Sequence, residues 1–394
     1  MTPGARVAAA IAVLDDIATG VSAEKALTTW ARGSRFAGSK DRAAVRDHVF
    51  DVLRAKRSLG DGDGRSLMQR LAVREGWPVA SLFSGEGHAP VPLSDAEQDA
   101  LAVPLALPDA ARCDLPDWLW PLWQDSLGDQ AEAAALEQQG RADVFLRVNA
   151  RKGSVDQAIV SLAADGVVAV PHGHIPGCLR VLENPRRIKI ASAYLDGLVE
   201  LQDASSQFAV QSVPVSAGAR VLDYCAGGGG KALAFADCID GAVFAHDIAP
   251  QRMADLPARA ARAGITVQLL ETKGLSVQGP YDLVFCDAPC SGSGTWRRTP
   301  EAKWRLTPER LVQLMQSQDE VLAAAALLVA PDGILAYATC SVLKDENISA
   351  VDRFVMRNPD WIVAQQHQLL PSADGDGFFL CTLHKNNYNF RKSE

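Results

Sequence analysis

Two cysteines and an aspartate sit where this chain can do chemistry. Asp287-Ala288-Pro289-Cys290-Ser291-Gly292-Ser293-Gly294-Thr295 follows an apolar run, and Thr339-Cys340-Ser341 closes the next one. If both runs are strands of an open α/β sheet, both segments lie at carboxyl ends, where such sheets bind ligands. A thiolate there can add to an electrophilic ring carbon and divide one difficult step into two easier ones. A carboxyl beside it can supply a proton or stabilise a developing charge. A second thiol can help the first to leave. The attacking thiol works as thiolate, so its site must lower a free pKa of about 8.5. The plain alternative for a strand-end cysteine is a small buried hydrophobe. That reading suits Cys225, Cys238, Cys286 and Cys381 better than Cys290 and Cys340.

A second constellation precedes it. Val221-Leu222-Asp223-Tyr224 runs into Cys225, Ala226, Gly227, Gly228, Gly229, Gly230 and Lys231, which reads as strand, glycine turn and helix start. Glycines let the backbone approach a ligand, and the first N–H groups of the helix then face it. Asp247 follows at the end of the next apolar run, where an acid bonds ribose hydroxyls in nucleotide-binding sheets. Turn and acid together favour an adenosyl cofactor. Spacing alone does not choose between a dinucleotide and S-adenosylmethionine.

The elements that must position these groups follow from periodicity. Residues 1–138 read as helix, with Arg6–Ile17, Ala23–Ala31, Asp41–Arg57 and Arg65–Glu75 each of helical period. Ser94 and Glu97 have capping-box spacing, and a helix from Pro116 runs to about Gln139. Residues 139–200 change character: a strand over Asp143–Asn149, a helix over Val155–Ala164, and short strands at Val167–Val170, Leu179–Leu182 and Leu198–Leu201. Residues 201–394 show the alternation of a doubly wound sheet. Strands are expected at Arg220–Tyr224, Ala242–His246, Thr266–Leu270, Asp282–Cys286, Ile334–Ala338 and Phe378–Leu383. Helices are expected at Lys231–Cys238, Pro250–Ala263 and from Thr307 to Ala330.

Composition bounds the class. At 394 residues with 48% hydrophobic and 22% charged residues, two or three globular domains fit and disorder does not. The net charge of −8 argues mildly against nucleic acid as partner, but binding depends on local clusters. Three basic clusters exist: Arg35, Lys40, Arg42 and Arg46; Arg180, Arg186, Arg187 and Lys189; and Arg297, Arg298, Lys303, Arg305 and Arg310. The eight cysteines form no zinc-like spacing, so no metal is expected. The apolar start is broken at once by Asp15 and Asp16, and no run spans a bilayer. No membrane partner is expected, and the reading is a cytoplasmic protein with reduced thiols.

The segments 287–295 and 339–341, in this order and spacing, resemble the two signature segments of the RsmB/Sun/NOP family of RNA cytosine-5 methyltransferases. Gln202–Gln207, Pro300–Trp304 and Glu346-Asn347 also fit that family. Gly38-Ser39-Lys40-Asp41-Arg42 to Leu53 resembles the NusB-like RNA-binding domain of its bacterial rRNA members. The resemblance implies a Rossmann-like class I methyltransferase domain at 201–394. It implies a small α/β, RRM-like subdomain at 139–200 before it, and an all-α NusB-like domain at 1–138. It implies S-adenosylmethionine held by residues 225–231, Asp247 and Asp287. Cys340 would be the nucleophile, Cys290 the cysteine of release, Asp287 the contact to the flipped base, and Lys231 a group near the reacting centre. The glycine turn departs from the family's Ala-Pro-Gly-Gly-Lys, having lost its proline. The acid usual after the third strand is replaced by Leu270-Glu271-Thr272.

The cytosine must be unpaired or flipped, because a stacked base hides carbon 6. Arg297, Arg298, Lys303 and Arg305, next to the catalytic segment, would hold flanking phosphates. The resemblance points to 16S rRNA as target, and a monomer is expected. Two other readings stay open: an RNA-binding or ribosome-assembly factor that has lost methyl transfer, and a methyltransferase for another target.

Overall fold

The structure is a computed structural model, and it describes residues 1–386; the tail of the expected catalytic segment, 387–394, lies outside the described residues. The chain forms two compact units: Met1–Arg141 together with Trp296–Leu306, and Ala142–Thr295 together with Thr307 onwards.

The first unit is all helix. Pro3–Ala18, Ala23–Gly33, Ser39–Arg54 and Gly64–Arg74 carry its main core. Val7, Ala10 and Val13 meet Val45, Val49 and Val52 of the third helix and Met68 and Leu71 of the fourth, all buried. These positions recur at helical spacing, which is why the segments fold as helices. Trp296–Leu306 adds to this unit. Trp296 stacks on Trp123 at 5.9 Å between centroids, and Trp304 Nε1 donates to Leu53 O at 2.6 Å.

The second unit holds two sheets. The smaller has β1 (Val144–Val148), β2 (Val168–Pro171), β3 (Cys178–Glu183) and β4 (Val199–Leu201). Their order is β2-β3-β1-β4, and all pairings are antiparallel. With the helix Val155–Ala164 between β1 and β2 and a short helix, Ser192–Leu195, before β4, this is the split βαβ arrangement of ferredoxin-like domains.

The larger sheet has β5 (Arg220–Asp223), β6 (Ala242–Ala245), β7 (Gln268–Leu269), β8 (Tyr281–Asp287), β9 (Val329–Thr339), β10 (Trp361–Leu369) and β11 (Phe378–Lys385). Its order is β10-β11-β9-β8-β5-β6-β7, parallel from β9 to β7 and antiparallel at β11 and β10. Leu283 and Phe285 of β8 face one core, Val284 and Cys286 the other. Burial on both faces explains the unbroken apolar run at β8. The order reverses between β5 and β8, which places the crevice at their carboxyl ends.

Several expected elements differ. The helix expected over Pro250–Ala263 is a 3-10 turn, Pro250–Met253, and a separate helix, Leu256–Ala263. Pro257 lacks an N–H and is confined to a helix's first turn, so a new helix starts there. The helix from Thr307 ends at Ala326, not Ala330, and β9 begins at Val329. Residues 330–333 form an irregularity in its pairing with β8. Gly333 is required there: a Cβ would stand 3.0 Å from the main-chain oxygens of Tyr281 and Asp282. The strand β10 and the helix Ile348–Arg357 were not expected at all.

Candidate active site

The glycine turn leaves β5 and bends back into the helix Gly230–Cys238. Gly227 and Gly229 have φ of +52° and +78°, which only glycine adopts freely. Ala226 N–H donates to His246 O at 2.8 Å and Gly229 N–H to Ala226 O at 2.8 Å, so the turn is pinned. The residue before the helix, Gly229, offers no side-chain cap, and among the first-turn N–H groups Ala232 is taken up by Asp223 Oδ2 at 2.9 Å. The N–H groups of Gly230 and Lys231 have no intrahelical acceptor and favour a ligand. A Cβ at Gly230 would meet only Gln202 Nε2, at 3.9 Å, so the turn borders open space there.

Asp247 follows β6 and is buried. Its Oδ2 accepts from Gly227 N–H and from Arg252 Nη1, both at 2.9 Å, and its Oδ1 accepts from Ala249 N–H at 2.9 Å. A carboxylate offers about four lone-pair positions, so one remains for a hydroxyl. The next residue in the chain, Ile248, is 83% exposed, an apolar side chain that periodicity did not single out. Glu271, in the segment that stands where the family's acid usually follows the third strand, is exposed and paired with Lys273 at 2.9 Å. Helix start, glycine turn and buried acid together fit an adenosyl cofactor.

Asp223, at the end of β5, is wholly buried. Its Oδ2 accepts from Ala232 N–H at 2.9 Å, tying strand to helix, while Oδ1 has no partner. Burial pushes its carboxyl up to about 7, against the pull of nearby Lys231. Lys231 Nζ donates to Asp287 Oδ2 at 2.7 Å and lies 5.2 Å over the Phe378 ring. Burial works against the ammonium, but the Asp287 carboxylate outweighs it and raises the lysine's pKa.

The two cysteines meet. Cys290 Sγ and Cys340 Sγ are 3.4 Å apart, and both residues are partly buried. The hydrogen bond with Cys340, followed by burial, pushes the Cys290 thiol well above its ordinary value. At 3.4 Å either sulfur can donate to the other, so the two can share one proton.

Sequence reasoning assigned no role to the group that holds the two loops in register. Glu346 is buried within its own hydrogen-bond network. Its Oε1 accepts from Ser291 N–H at 2.7 Å and Gln318 Nε2 at 3.1 Å; its Oε2 accepts from Ser341 Oγ at 2.6 Å and also from Ser291 Oγ. Ser291 follows Cys290 and Ser341 follows Cys340, so one carboxyl fixes both sulfurs. Ser293 Oγ bonds Ser341 Oγ at 2.8 Å, and Gly294 N–H donates to Cys340 O at 2.9 Å. Asn347 accepts from Thr339 Oγ1 at 2.6 Å and donates to Ser341 O at 2.9 Å. The signal was in the sequence: two polar residues, Glu346 and Asn347, just after a reactive strand end.

The expected phosphate-binding run is divided. Arg297 and Lys303 are buried inside the helical unit. Arg297 pairs with Glu137 at 3.1 Å, and Lys303 Nζ donates to Arg54 O at 3.4 Å. Burial pulls the Lys303 amine down to about 8. These two hold Trp296–Leu306 to its own unit and do not present charge to solvent. Arg298 and Arg305 are exposed, with Arg305 paired to Glu301 at 2.7 Å. Of the cysteines taken as plain hydrophobes, Cys286 and Cys381 are buried and Cys225 is half-buried, but Cys238 is exposed at a helix end. Among the described residues no cluster of His, Cys, Asp or Glu suits a metal ion, and no helix is long and apolar enough to cross a membrane.

Comparisons with known proteins agree with this geometry. Residues 211–384 match the family described as 16S rRNA methyltransferase RsmB/F, and residues 115–189 match the ferredoxin-like domain of the same proteins. The ribosomal RNA small subunit methyltransferase B of Citrobacter koseri is 33% identical over 303 residues, covering 73% of this chain and 70% of its own length. The protein of that name from Salmonella arizonae is 31% identical with the same coverage. The crystal structure of PH0851 superposes with a TM-score of 0.75 at 23% identity, covering 98% of this chain and 99% of its own. That of a methyltransferase homolog from Pyrococcus horikoshii gives 0.61 at 22%, covering 74% and 100%. These two show the fold, a Rossmann-like methyltransferase. The relatives' identity and coverage carry the further conclusion: the chain belongs to the RsmB/F family of S-adenosylmethionine-dependent RNA cytosine-5 methyltransferases.

Proposed function

We propose that this enzyme methylates carbon 5 of a cytosine in 16S rRNA through a covalent adduct between Cys340 and carbon 6 of that base. The 3.4 Å contact between the Cys290 and Cys340 sulfurs, at the carboxyl ends of neighbouring strands, carries the reading. S-adenosylmethionine, when bound, supplies an electrophilic methyl group. Residues 225–231 and Asp247 would hold it, with Ile248 against its purine. Cys340, as thiolate, forms a bond to carbon 6 and turns the ring into an enamine whose carbon 5 is nucleophilic. Asp287 would face ring nitrogen 3 and hand it the proton that the addition requires, so that the enamine forms without a stranded negative charge. Lys231 Nζ, 2.7 Å from Asp287 Oδ2, would orient that carboxyl. In release, the carbon 5 proton leaves to a base, the carbon 6–sulfur bond breaks, and the Cys290 thiol donates a hydrogen bond to the departing sulfur.

The chain divides, in this proposal, into a helical RNA-binding part at 1–138, a small α/β RNA-binding part at 139–200 and the catalytic part at 201–394. It works as a cytoplasmic monomer. Of the four cations expected to hold phosphates, Arg298 and Arg305 keep that role, because they are exposed. Bisulfite sequencing of rRNA from cells with and without the gene tests the function. One cytosine should lose its protection in the deletion strain and regain it on complementation. Unchanged protection at every 16S position contradicts the proposal.

A further inference from the structure

The glycine turn lacks the proline of its family, and a guanidinium stands in that place. Counted back from Lys231, the proline of Ala-Pro-Gly-Gly-Lys falls at Gly228. Gly228 is exposed, and a Cβ there would meet one nearby group, Arg259 Nη1 at 3.4 Å. That same nitrogen donates to Gly228 O. The guanidinium therefore lies against the side of the turn that a ring would cover.

Proline restrains a loop by fixing φ, and glycine gives that freedom back. A tether on the carbonyl limits the freedom in another way. The peptide between Gly228 and Gly229 is held at both ends, because Gly229 N–H donates to Ala226 O at 2.8 Å. Since a peptide unit is planar, two such bonds fix its orientation.

Arg259 is itself held. It projects from the helix Leu256–Ala263 and pairs at 3.4 Å with Glu200, a buried residue of β4 that also pairs with Arg262 at 2.7 Å. Two residues on, Gln202 Nε2 donates to Gly230 O at 3.2 Å, and its Oε1 accepts from Arg147 Nε at 2.9 Å. A trans peptide points its N–H opposite to its C=O. The Gln202 bond thus aims Lys231 N–H, one of the two that favour a ligand, away from Gln202. Arg147 and Glu200 are register partners on β1 and β4, so one face of the small sheet supports the turn.

We propose that Arg259, steered by Glu200, is a positioning residue of the S-adenosylmethionine site, where its bond to Gly228 O replaces the restraint of the absent proline. The proposal rests on the reading that residues 225–231 hold the cofactor.

The test uses the full chain, with cofactor affinity from titration calorimetry and backbone mobility from hydrogen exchange. Arg259→Ala should bind S-adenosylmethionine about tenfold more weakly, for loss of one hydrogen bond from a charged group. Arg259→Lys keeps a donor without the planar fork and should lose only about threefold. Without cofactor, residues 226–231 should exchange faster in Arg259→Ala than in the wild type, because the turn opens more often. Steady-state methylation should show a raised KM for the cofactor, with kcat and the KM for RNA little changed.

The family's own residue supplies the rescue. Gly228 lies outside the left-handed region, and among the described residues its N–H donates no hydrogen bond. Gly228→Pro in the Arg259→Ala background should therefore restore affinity to within about twofold of the wild type. Affinity and exchange in Arg259→Ala that match the wild type overturn the proposal. A loss that Gly228→Pro does not repair also overturns it, since Arg259 would then serve the site in some other way. The underlying reading is tested separately: cofactor should slow exchange at 226–231 in the wild type. A turn protected by cofactor but indifferent to Arg259→Ala sinks the tether alone. A turn that cofactor leaves unprotected sinks the cofactor reading and the proposal with it.

Discussion

Cys290 Sγ stands 3.4 Å from Cys340 Sγ, within hydrogen-bond reach of the sulfur proposed to attack and depart. Removing it should therefore leave attack intact and impair departure. Cys290→Ala is expected to accumulate a protein–RNA adduct visible as a slow band in denaturing gels, stable to boiling in detergent. Turnover should fall by at least about 100-fold, at the lower end of general acid–base contributions. A variant that turns over normally without such a band contradicts the assignment.

Glu346 acts through its neighbours and not on the base. Glu346→Ala removes the acceptor shared by Ser291 and Ser341, so both sulfurs lose their fixed places. A misplacement of about 1 Å costs roughly 100-fold in rate. We expect kcat to fall by that amount with the KM for RNA little changed. Glu346→Gln keeps one acceptor oxygen and should recover most of the loss. Steady-state kinetics on transcribed rRNA decide this; equal damage from both variants would point to a requirement for charge.

Asp247 ties Gly227 to the end of β6, and in the proposed site its remaining lone pair would accept from the cofactor. Asp247→Ala should weaken S-adenosylmethionine binding by about tenfold or more, the 1.4 kcal/mol of one hydrogen bond to a charged group. RNA affinity should not change. Titration calorimetry with the cofactor measures the first and anisotropy the second. An unaltered cofactor affinity would remove Asp247 from the site.

Asp223 gives a pH signature. Its folded carboxyl titrates near 7, against an ordinary value of 3.8. The unfolded chain therefore releases this proton first as pH rises. Asp223 supports the fold fully below about pH 4, and that support declines through pH 7 before levelling off. The whole effect is bounded at about 4 kcal/mol. Asp223→Asn mimics the protonated form and lacks the transition. The Tm of the variant minus that of the wild type should rise between pH 4 and 7 and then stay flat. A difference independent of pH contradicts the buried, raised carboxyl.

The candidate constellation was legible because its residues lie in short local segments at strand ends. Cys290, Cys340, Lys231 and Asp287 are brought into the crevice by β5, β8 and β9, which read clearly as buried runs. Long-range effects were not legible. Arg297 and Lys303 look like a phosphate clamp, yet Glu137 and the main chain of Arg54 take up their charge, and no local pattern reports partners more than a hundred residues away. The strand β10 escaped notice because Gln365, Gln366, His367 and Gln368 break apolar alternation; at the sheet's edge few of its residues need burial. The role of Glu346 was hidden for a similar reason: its meaning lies in the two serines it joins, which are 50 residues apart.

The account's central claim is a transient bond between Cys340 and a pyrimidine ring. It is tested most directly by incubating the protein and S-adenosylmethionine with an rRNA transcript carrying 5-fluorocytosine, which blocks release, and mapping the cross-linked peptide by mass spectrometry. The account predicts a stoichiometric RNA adduct on Cys340, absent from Cys340→Ala. An adduct on Cys290, or methylation that proceeds in Cys340→Ala, would contradict it.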